Sequence, residues 1–229
     1  MGPIFIYSVS RSGGTFLAHL LSQCVHPQSR NIHAYHENLF SKEHIEKNIN
    51  NNQIILKRHP YALYMSISLI NFGKEKGSFK VSDASHWSSM NLFHNEVDKY
   101  IDIVLPYENK LPVIKYEDYH NNTDYVFDFV KDKFDINVEE DKKKEFINKL
   151  GTIDNSLNYY KTNPEEYNKK FQRGHISVGK GDNLSNLRFL PYDFRDKFKS
   201  EVDPYVKALG YEPYDLSDIK FDPIVENIY

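Results

Sequence analysis

With 229 residues, 40% of them hydrophobic and 14% aromatic, the chain can bury the core of one elaborated domain, which excludes both a wholly disordered chain and two independent enzymatic domains. A mean hydropathy of -0.63 fits a soluble protein. Lys+Arg 29 against Asp+Glu 32 leaves a net charge of -3, which argues against a protein built to coat nucleic acid or an anionic membrane, so any anionic ligand must be held by a local cluster.

In chain order, the first apolar run, Ile4–Ser8, reads as a buried strand; it has no basic flank before it and is too short for a secretory signal or a membrane span. A helical pattern covers Thr15–Cys24, a second strand Ile32–Tyr35 and a short helix Lys42–Asn48, and the polar tract up to Gln53 reads as a turn. A third strand follows over Ile54–Arg58, then a helix over Tyr61–Phe72, a long helical pattern over Ser85–Leu105, a fourth strand over Val113–Tyr116 and a helix over Thr123–Phe134. The apolar runs are short and do not alternate cleanly, as parallel strands covered on both faces tend to read. Strands alternating with helices imply an α/β fold with a central parallel sheet flanked by helices.

The second half reads as mostly helical, most clearly over Glu139–Leu150 and Phe194–Leu209. The tail Tyr211–Tyr229 carries Pro213 and Pro223 and reads as irregular, so the expected organisation is one domain over residues 1–210 with the tail 211–229 packed upon it. A lone Cys24 forms no intramolecular disulfide and no cysteine zinc site, and with no signal segment a cytoplasmic location is expected. The sequons at Asn121 and Asn183 then read as chance.

The first chemical signal is Ser8-Val9-Ser10-Arg11-Ser12-Gly13-Gly14-Thr15-Phe16-Leu17, directly after the first strand and opening the first helix. Small residues let the backbone turn tightly and approach a phosphate, and the amides and dipole of the next helical turn favour an anion. A Gly pair also suits an ordinary strand-to-helix turn; Arg11 and the neighbouring hydroxyls tilt the segment towards a phosphate-type loop. It is not the NTPase loop, because G-x-x-x-x-G-K-[ST] is absent and Arg11 precedes the glycines. The second signal is the strand ending in Lys57-Arg58, after which Pro60 marks a helix start and Ser66 falls two turns inside it. Arg58 thus stands at the carboxyl end of a strand, where open α/β sheets bind ligands; taken alone such a residue reads more readily as a surface arginine paired with an acid, and it is the combination with the first signal that points to a ligand.

Together these segments resemble the sulfotransferases that use 3′-phosphoadenosine 5′-phosphosulfate (PAPS). Their first-strand loop commonly reads P-[KR]-[ST]-G-[ST]-T-x-L, matched by Ser10 to Leu17 with Ser10 for the proline, and a later strand reads R-[DN]-P-x-[DE]-x-x-x-S, matched by Arg58-His59-Pro60 and Ser66 with His59 replacing the acid. Lys115-Tyr116-Glu117-Asp118 resembles the family's Y-E-D, and Asn155-Ser156-Leu157-Asn158-Tyr159-Tyr160-Lys161-Thr162-Asn163-Pro164 its T-S-F-x-x-M-K-x-N-P. Phe171-Gln172-Arg173-Gly174, then Gly179-Lys180-Gly181-Asp182, is similar to R-K-G-x-x-G-D-W, with Asn183 for the Trp and the spacing stretched. The matches run in family order over nearly the whole chain.

The resemblance implies a P-loop-like sulfotransferase domain and a role for each matched residue. Arg11, Ser12, Gly13, Gly14, Thr15 and the Phe16 amide hold the 5′-phosphosulfate, and Arg58, Ser66 and Arg173, with Gly174 beside it, hold the 3′-phosphate. Phe16 stands where the family stacks adenine, and Tyr116, Ser156, Leu157 and Tyr160 complete that pocket. PAPS is then the co-substrate, no metal is needed, and the partner is a small-molecule or carbohydrate acceptor. The acceptor needs a base: His36 precedes Arg58 by the family's interval of 22 residues, while Glu37 is the rival on the pattern of Golgi-type members. Two other classes compete. A P-loop kinase or NTPase needs a loop lysine that is missing here, and a noncatalytic nucleotide-binding module is compatible with the replaced proline, acid and tryptophan.

Three further clusters read as structural. His86, His94, Glu96 and Asp98 on the long helical pattern lack a close ligand pair and read as a solvated face. Trp87, Met90 and Phe93 fall at helical spacing and read as core, and Lys142 to Lys144 after Glu139-Glu140-Asp141 as a charged helix start.

Overall fold

The computed structural model describes residues 4–24, 32–35, 41–72, 79–80, 83–120, 122–151, 153–165 and 185–225. In chain order its elements are β1 (Ile4–Ser8), α1 (Gly14–Cys24), β2 (Ile32–Tyr35), α2 (Lys42–Lys47), β3 (Asn52–Lys57), α3 (Pro60–Phe72), β4 (Phe79–Lys80) and α4 (Asp83–Ile103). There follow β5 (Val113–Lys115), α5 (Tyr116–Tyr119), α6 (Asp124–Phe134), α7 (Glu140–Leu150), α8 (Ile153–Thr162), α9 (Arg195–Ala208) and β6 (Ile224–Val225).

Four strands pair in the order β2-β1-β3-β5, all parallel, and helices flank this open sheet within a single domain. Residues alternate between its two faces with the period of a strand. On β1, Phe5 and Tyr7 enter one apolar cluster with Ile55 of β3 and side chains of α3, α4 and α9. Ile4 and Ile6 enter the other, with Ile54 and Leu56 of β3 and side chains of α1, α6 and α7. Both faces are therefore buried, which is why these strands read as continuous apolar runs.

The register decides which loops become neighbours. Ser8 at the end of β1 stands beside Leu56 of β3, and Lys57 at the end of β3 stands beside Lys115 of β5. The segments after β1, β3 and β5 consequently emerge side by side at one edge of the sheet. Because β2 lies on one side of β1 and β3 on the other, the chain reverses its winding there, the topological position at which such sheets form crevices.

Helix ends follow local chemistry. Ser41 caps α2 by accepting the His44 amide at 3.0 Å. At the end of α9, Gly210 takes φ +75°, its N–H bonds the Lys207 carbonyl, and the Tyr211 N–H reaches back to the Val206 carbonyl at 2.9 Å, closing the helix and turning the chain back over the domain.

Several sequence expectations change. The tail is irregular over residues 211–223, as read, but then contributes β6, which pairs antiparallel with β4 in a second, two-stranded sheet. α8 occupies a segment noted only as a motif. The expected solvated face of α4 is overturned in part: His86 is buried between the rings of Tyr64 and Phe194, and Glu96 is buried too. α4 packs against α3 and α9 and keeps one solvent-facing side, on which Asp98 lies exposed as expected. His94 is half-exposed and meets Tyr205 and Glu201 of α9. Met90 and Phe93 are core, and Lys142 and Lys143 pair with Glu139 and Glu140 at the start of α7. Among the described residues no helix is long and apolar enough to cross a membrane.

Candidate functional site

The candidate site is built from the three segments that follow β1, β3 and β5. After β1 the chain turns tightly, the Ser12 N–H donating to the Val9 carbonyl at 3.2 Å. Arg11 takes φ +69° in the left-handed region, a conformation that costs a non-glycine residue about 1–3 kcal/mol. Asp135, the other such residue among those described, ends a helix, where left-handed geometry is common, whereas Arg11 lies in the turn between β1 and α1.

Gly13 is required twice over. Its φ is +90°, and a Cβ there would lie 2.7 Å from Cδ2 of Tyr116 and 2.7 Å from the Tyr119 hydroxyl. α1 opens at the next residue, so the positive end of its dipole and its first-turn amides face the mouth of the loop.

Arg58 leaves the end of β3 buried, so it is not the solvent-facing arginine that a bare strand end suggests. Its Nη1 donates to the Arg11 carbonyl at 2.6 Å, and its guanidinium carbon lies 4.2 Å from the centroid of the Tyr116 ring. One side chain thus ties the β3 edge to both the glycine loop and the β5 edge. Tyr116 opens α5 directly after β5 and stacks with His120 at 4.7 Å between centroids. One turn later the Tyr119 hydroxyl donates to the Gly13 carbonyl at 3.4 Å. Burial pushes both phenols above their ordinary pKa, with Arg58 opposing, so they stay neutral and can act as donors.

His59, which replaces the acid of the motif, is a structural residue. Its Nδ1 accepts the Tyr61 N–H at 3.2 Å, so the proton sits on Nε2, which donates to the Glu212 carbonyl at 3.0 Å. Burial lowers its pKa and keeps the ring neutral.

The structure therefore brings together Arg11, Ser12, Gly13, Gly14 and Thr15 with Arg58 and Tyr116. Ser66 is buried two turns along α3. Phe16 is half-buried, lying parallel to Tyr119 at 6.4 Å and edge-on to Phe146 of α7 at 6.0 Å, and Tyr160 of α8 packs against the same cluster. Ser156 and Leu157 lie within α8. His36, Glu37, Arg173, Gly174 and the Gly179–Asn183 stretch lie outside the described residues. Sequence reasoning missed Tyr119; its signal was the spacing of three residues from Tyr116 on a short helix, which sets both rings against Gly13.

No family model matches the chain, and no curated protein matches it in sequence. Its fold is similar to that of mouse sulfotransferase SULT7A1, solved in complex with PAP: the TM-score is 0.60 at 12% identity, covering 91% of this chain and 84% of that one. The sulfotransferase domain from the curacin biosynthetic pathway aligns with 93% of this chain and 99% of its own, at 14% identity and a TM-score of 0.45. The likeness to the mouse enzyme is one of fold, and it spans nearly the whole chain.

Proposed function

We propose that the chain is a sulfotransferase that moves the sulfuryl group of PAPS to a hydroxyl or amine of a small-molecule or carbohydrate acceptor. The observation that carries this reading is the joint at the sheet edge: a strained glycine loop at a helix N-terminus, bonded through its Arg11 carbonyl to a buried Arg58 that rests on Tyr116. Such a joint presents two fixed positive charges and a dipole to a ligand with phosphates at both ends of a nucleoside. The mouse structure's bound PAP supports the same choice of ligand.

In this reading the acceptor oxygen or nitrogen attacks sulfur in line, the bond from sulfur to the bridging oxygen breaks, and adenosine 3′,5′-bisphosphate leaves. The acceptor's proton passes to His36 or Glu37. Arg11 stays protonated and stabilises the charge on the leaving phosphate rather than donating a proton. The loop from Ser12 to Phe16 binds the phosphosulfate, Arg58 with Ser66, Arg173 and Gly174 binds the 3′-phosphate, and Phe16, Tyr116, Ser156, Leu157 and Tyr160 enclose the adenine. Because arginines neutralise the donor, transfer proceeds in EDTA.

The test is calorimetry with adenosine 3′,5′-bisphosphate and with adenosine 5′-phosphosulfate, which lacks the 3′-phosphate. Arg58→Ala should weaken the first by about 1.5–3 kcal/mol more than the second, whose smaller loss reflects only the contact with the Arg11 carbonyl that the substitution also removes. Equal losses for both ligands, or preferential binding of ATP–Mg²⁺, refute the reading.

A further inference from the structure

Behind Arg58 a second layer of contacts ties the β3 edge to the C-terminal segment. β3 ends at Lys57, so the peptide that follows has left the sheet's hydrogen-bond ladder just where the arginine side chain departs. Glu117 takes the ladder's place. Its Oε1 accepts the His59 N–H at 2.9 Å, and its Oε2 accepts the Tyr211 hydroxyl at 3.0 Å. The register makes this possible: Lys57 pairs with Lys115, so Glu117 and His59 each stand two residues beyond a matched pair.

The same C-terminal segment holds His59 from its other side. The imidazole stacks on Tyr214 at 4.0 Å between centroids, meets Tyr211 edge-on at 5.0 Å, and bonds the Glu212 carbonyl. Lys115 lies 5.0 Å from the centroid of the Tyr211 ring. The turn at Gly210 is what returns the chain to this place.

We propose that Glu117, tethered by Tyr211, is a positioning residue for Arg58. It fixes the peptide after Arg58, and with it the direction of the arginine's Cα–Cβ bond, so that the guanidinium meets the Arg11 carbonyl and the Tyr116 ring in one orientation. A carboxylate accepting a backbone N–H is a short, directional, charge-assisted contact, suited to fixing a backbone torsion. The segment 211–214 thereby sets nucleotide affinity from outside the nucleotide site. The inference rests on the function proposed above, in that Arg58 is taken to bind the 3′-phosphate.

The experiment measures, by calorimetry, the ratio of affinities for adenosine 3′,5′-bisphosphate and adenosine 5′-monophosphate in the wild-type chain and in Glu117→Ala, Glu117→Gln and Tyr211→Phe. A merely structural role lowers thermal stability and weakens both nucleotides alike. A positioning role lowers the ratio, by about tenfold in Glu117→Ala, since misdirecting Arg58 removes most of one charged hydrogen bond. Glu117→Gln should stay within about threefold of wild type, because the amide oxygen still accepts from His59 and its nitrogen can donate to the Tyr211 oxygen. Tyr211→Phe, which removes one hydroxyl and nothing from the core, should lower the ratio about threefold and reads the same effect if Glu117→Ala fails to fold. An unchanged ratio in folded Glu117→Ala or in Tyr211→Phe overturns the positioning role while leaving the functional reading intact. A wild-type chain that does not prefer the bisphosphate overturns the functional reading itself, and the inference with it.

Discussion

Replacing Gly13 by alanine burdens the loop in two separable ways. The first is conformational: at φ +90° an L side chain lies outside its comfortable region, at a cost of about 1–2 kcal/mol. The second is steric: the new Cβ would lie 2.7 Å from the Tyr119 hydroxyl and 2.7 and 2.8 Å from two ring carbons of Tyr116, closer than real Cβ atoms come. Neither ring is the free end of a flexible chain, since Tyr116 lies against Arg58 and Tyr119 is buried, so relief requires the backbone to shift, worth about 1–3 kcal/mol more. Gly210 supplies the internal control. It has φ +75° and nothing within 4 Å of the place a Cβ would take, so Gly210→Ala carries the first burden alone. Urea unfolding of both variants, analysed with a common m-value, should place Gly13→Ala about 1–3 kcal/mol below Gly210→Ala. Calorimetry should show that Gly13→Ala also loses adenosine 3′,5′-bisphosphate, whereas Gly210→Ala binds it. Equal destabilisation by the two substitutions refutes the close packing of Tyr116 and Tyr119 on the loop.

His59 is neutral in the fold because burial lowers its pKa below the usual 6.5, with the Glu212 carbonyl and Glu117 opposing, so the unfolded chain binds the proton first; stability is full above about 6.5 and declines as the pH falls below it. Urea midpoints taken stepwise from neutral to mildly acidic pH should fall less steeply in His59→Gln, and parallel slopes contradict the assignment. Lys57 is buried, with Glu108 as its ion-pair partner and the Leu209 carbonyl as a second acceptor at 3.1 Å. Glu108→Ala strips the carboxylate from a buried ammonium and should cost about 1–3 kcal/mol, the partial exposure of Glu108 holding the value below that of a fully buried pair; an unchanged unfolding midpoint refutes this. For the acceptor's base, His36→Ala should lower kcat about 10²–10⁴-fold with nucleotide affinity unchanged, and Glu37→Ala much less. If single-turnover rates show the reverse, the role belongs to Glu37.

Much of the main sheet and its flanking helices was legible residue by residue. β1 and β2 begin and end where the apolar runs do, and β3 and β5 within two residues of them. The signals there are local: apolar runs, Pro60 at a helix start, and a Gly pair between a strand and a helix act through neighbours along the chain. The same locality exposed the glycine loop and Arg58 as candidates. It failed on part of α4, where local polarity suggested solvent but Tyr64 of α3 and Phe194 enclose His86 and Glu96 is buried, and it missed the short strand β6 in a tail that is otherwise irregular.

The chain's own local patterns thus determined an α/β domain with a parallel sheet, the loop that follows β1 and the basic end of β3. Tertiary structure decided how these parts meet. Arg58 reaches the Arg11 carbonyl across 47 residues of chain, Tyr211 reaches Glu117 across 94, and Tyr119 reaches Gly13 across 106. No pattern in neighbouring residues encodes such distances. They are set by strand order and parallel register, which place three distant loops at one edge of the sheet, and by the turn at Gly210, which brings the C-terminal segment back to them.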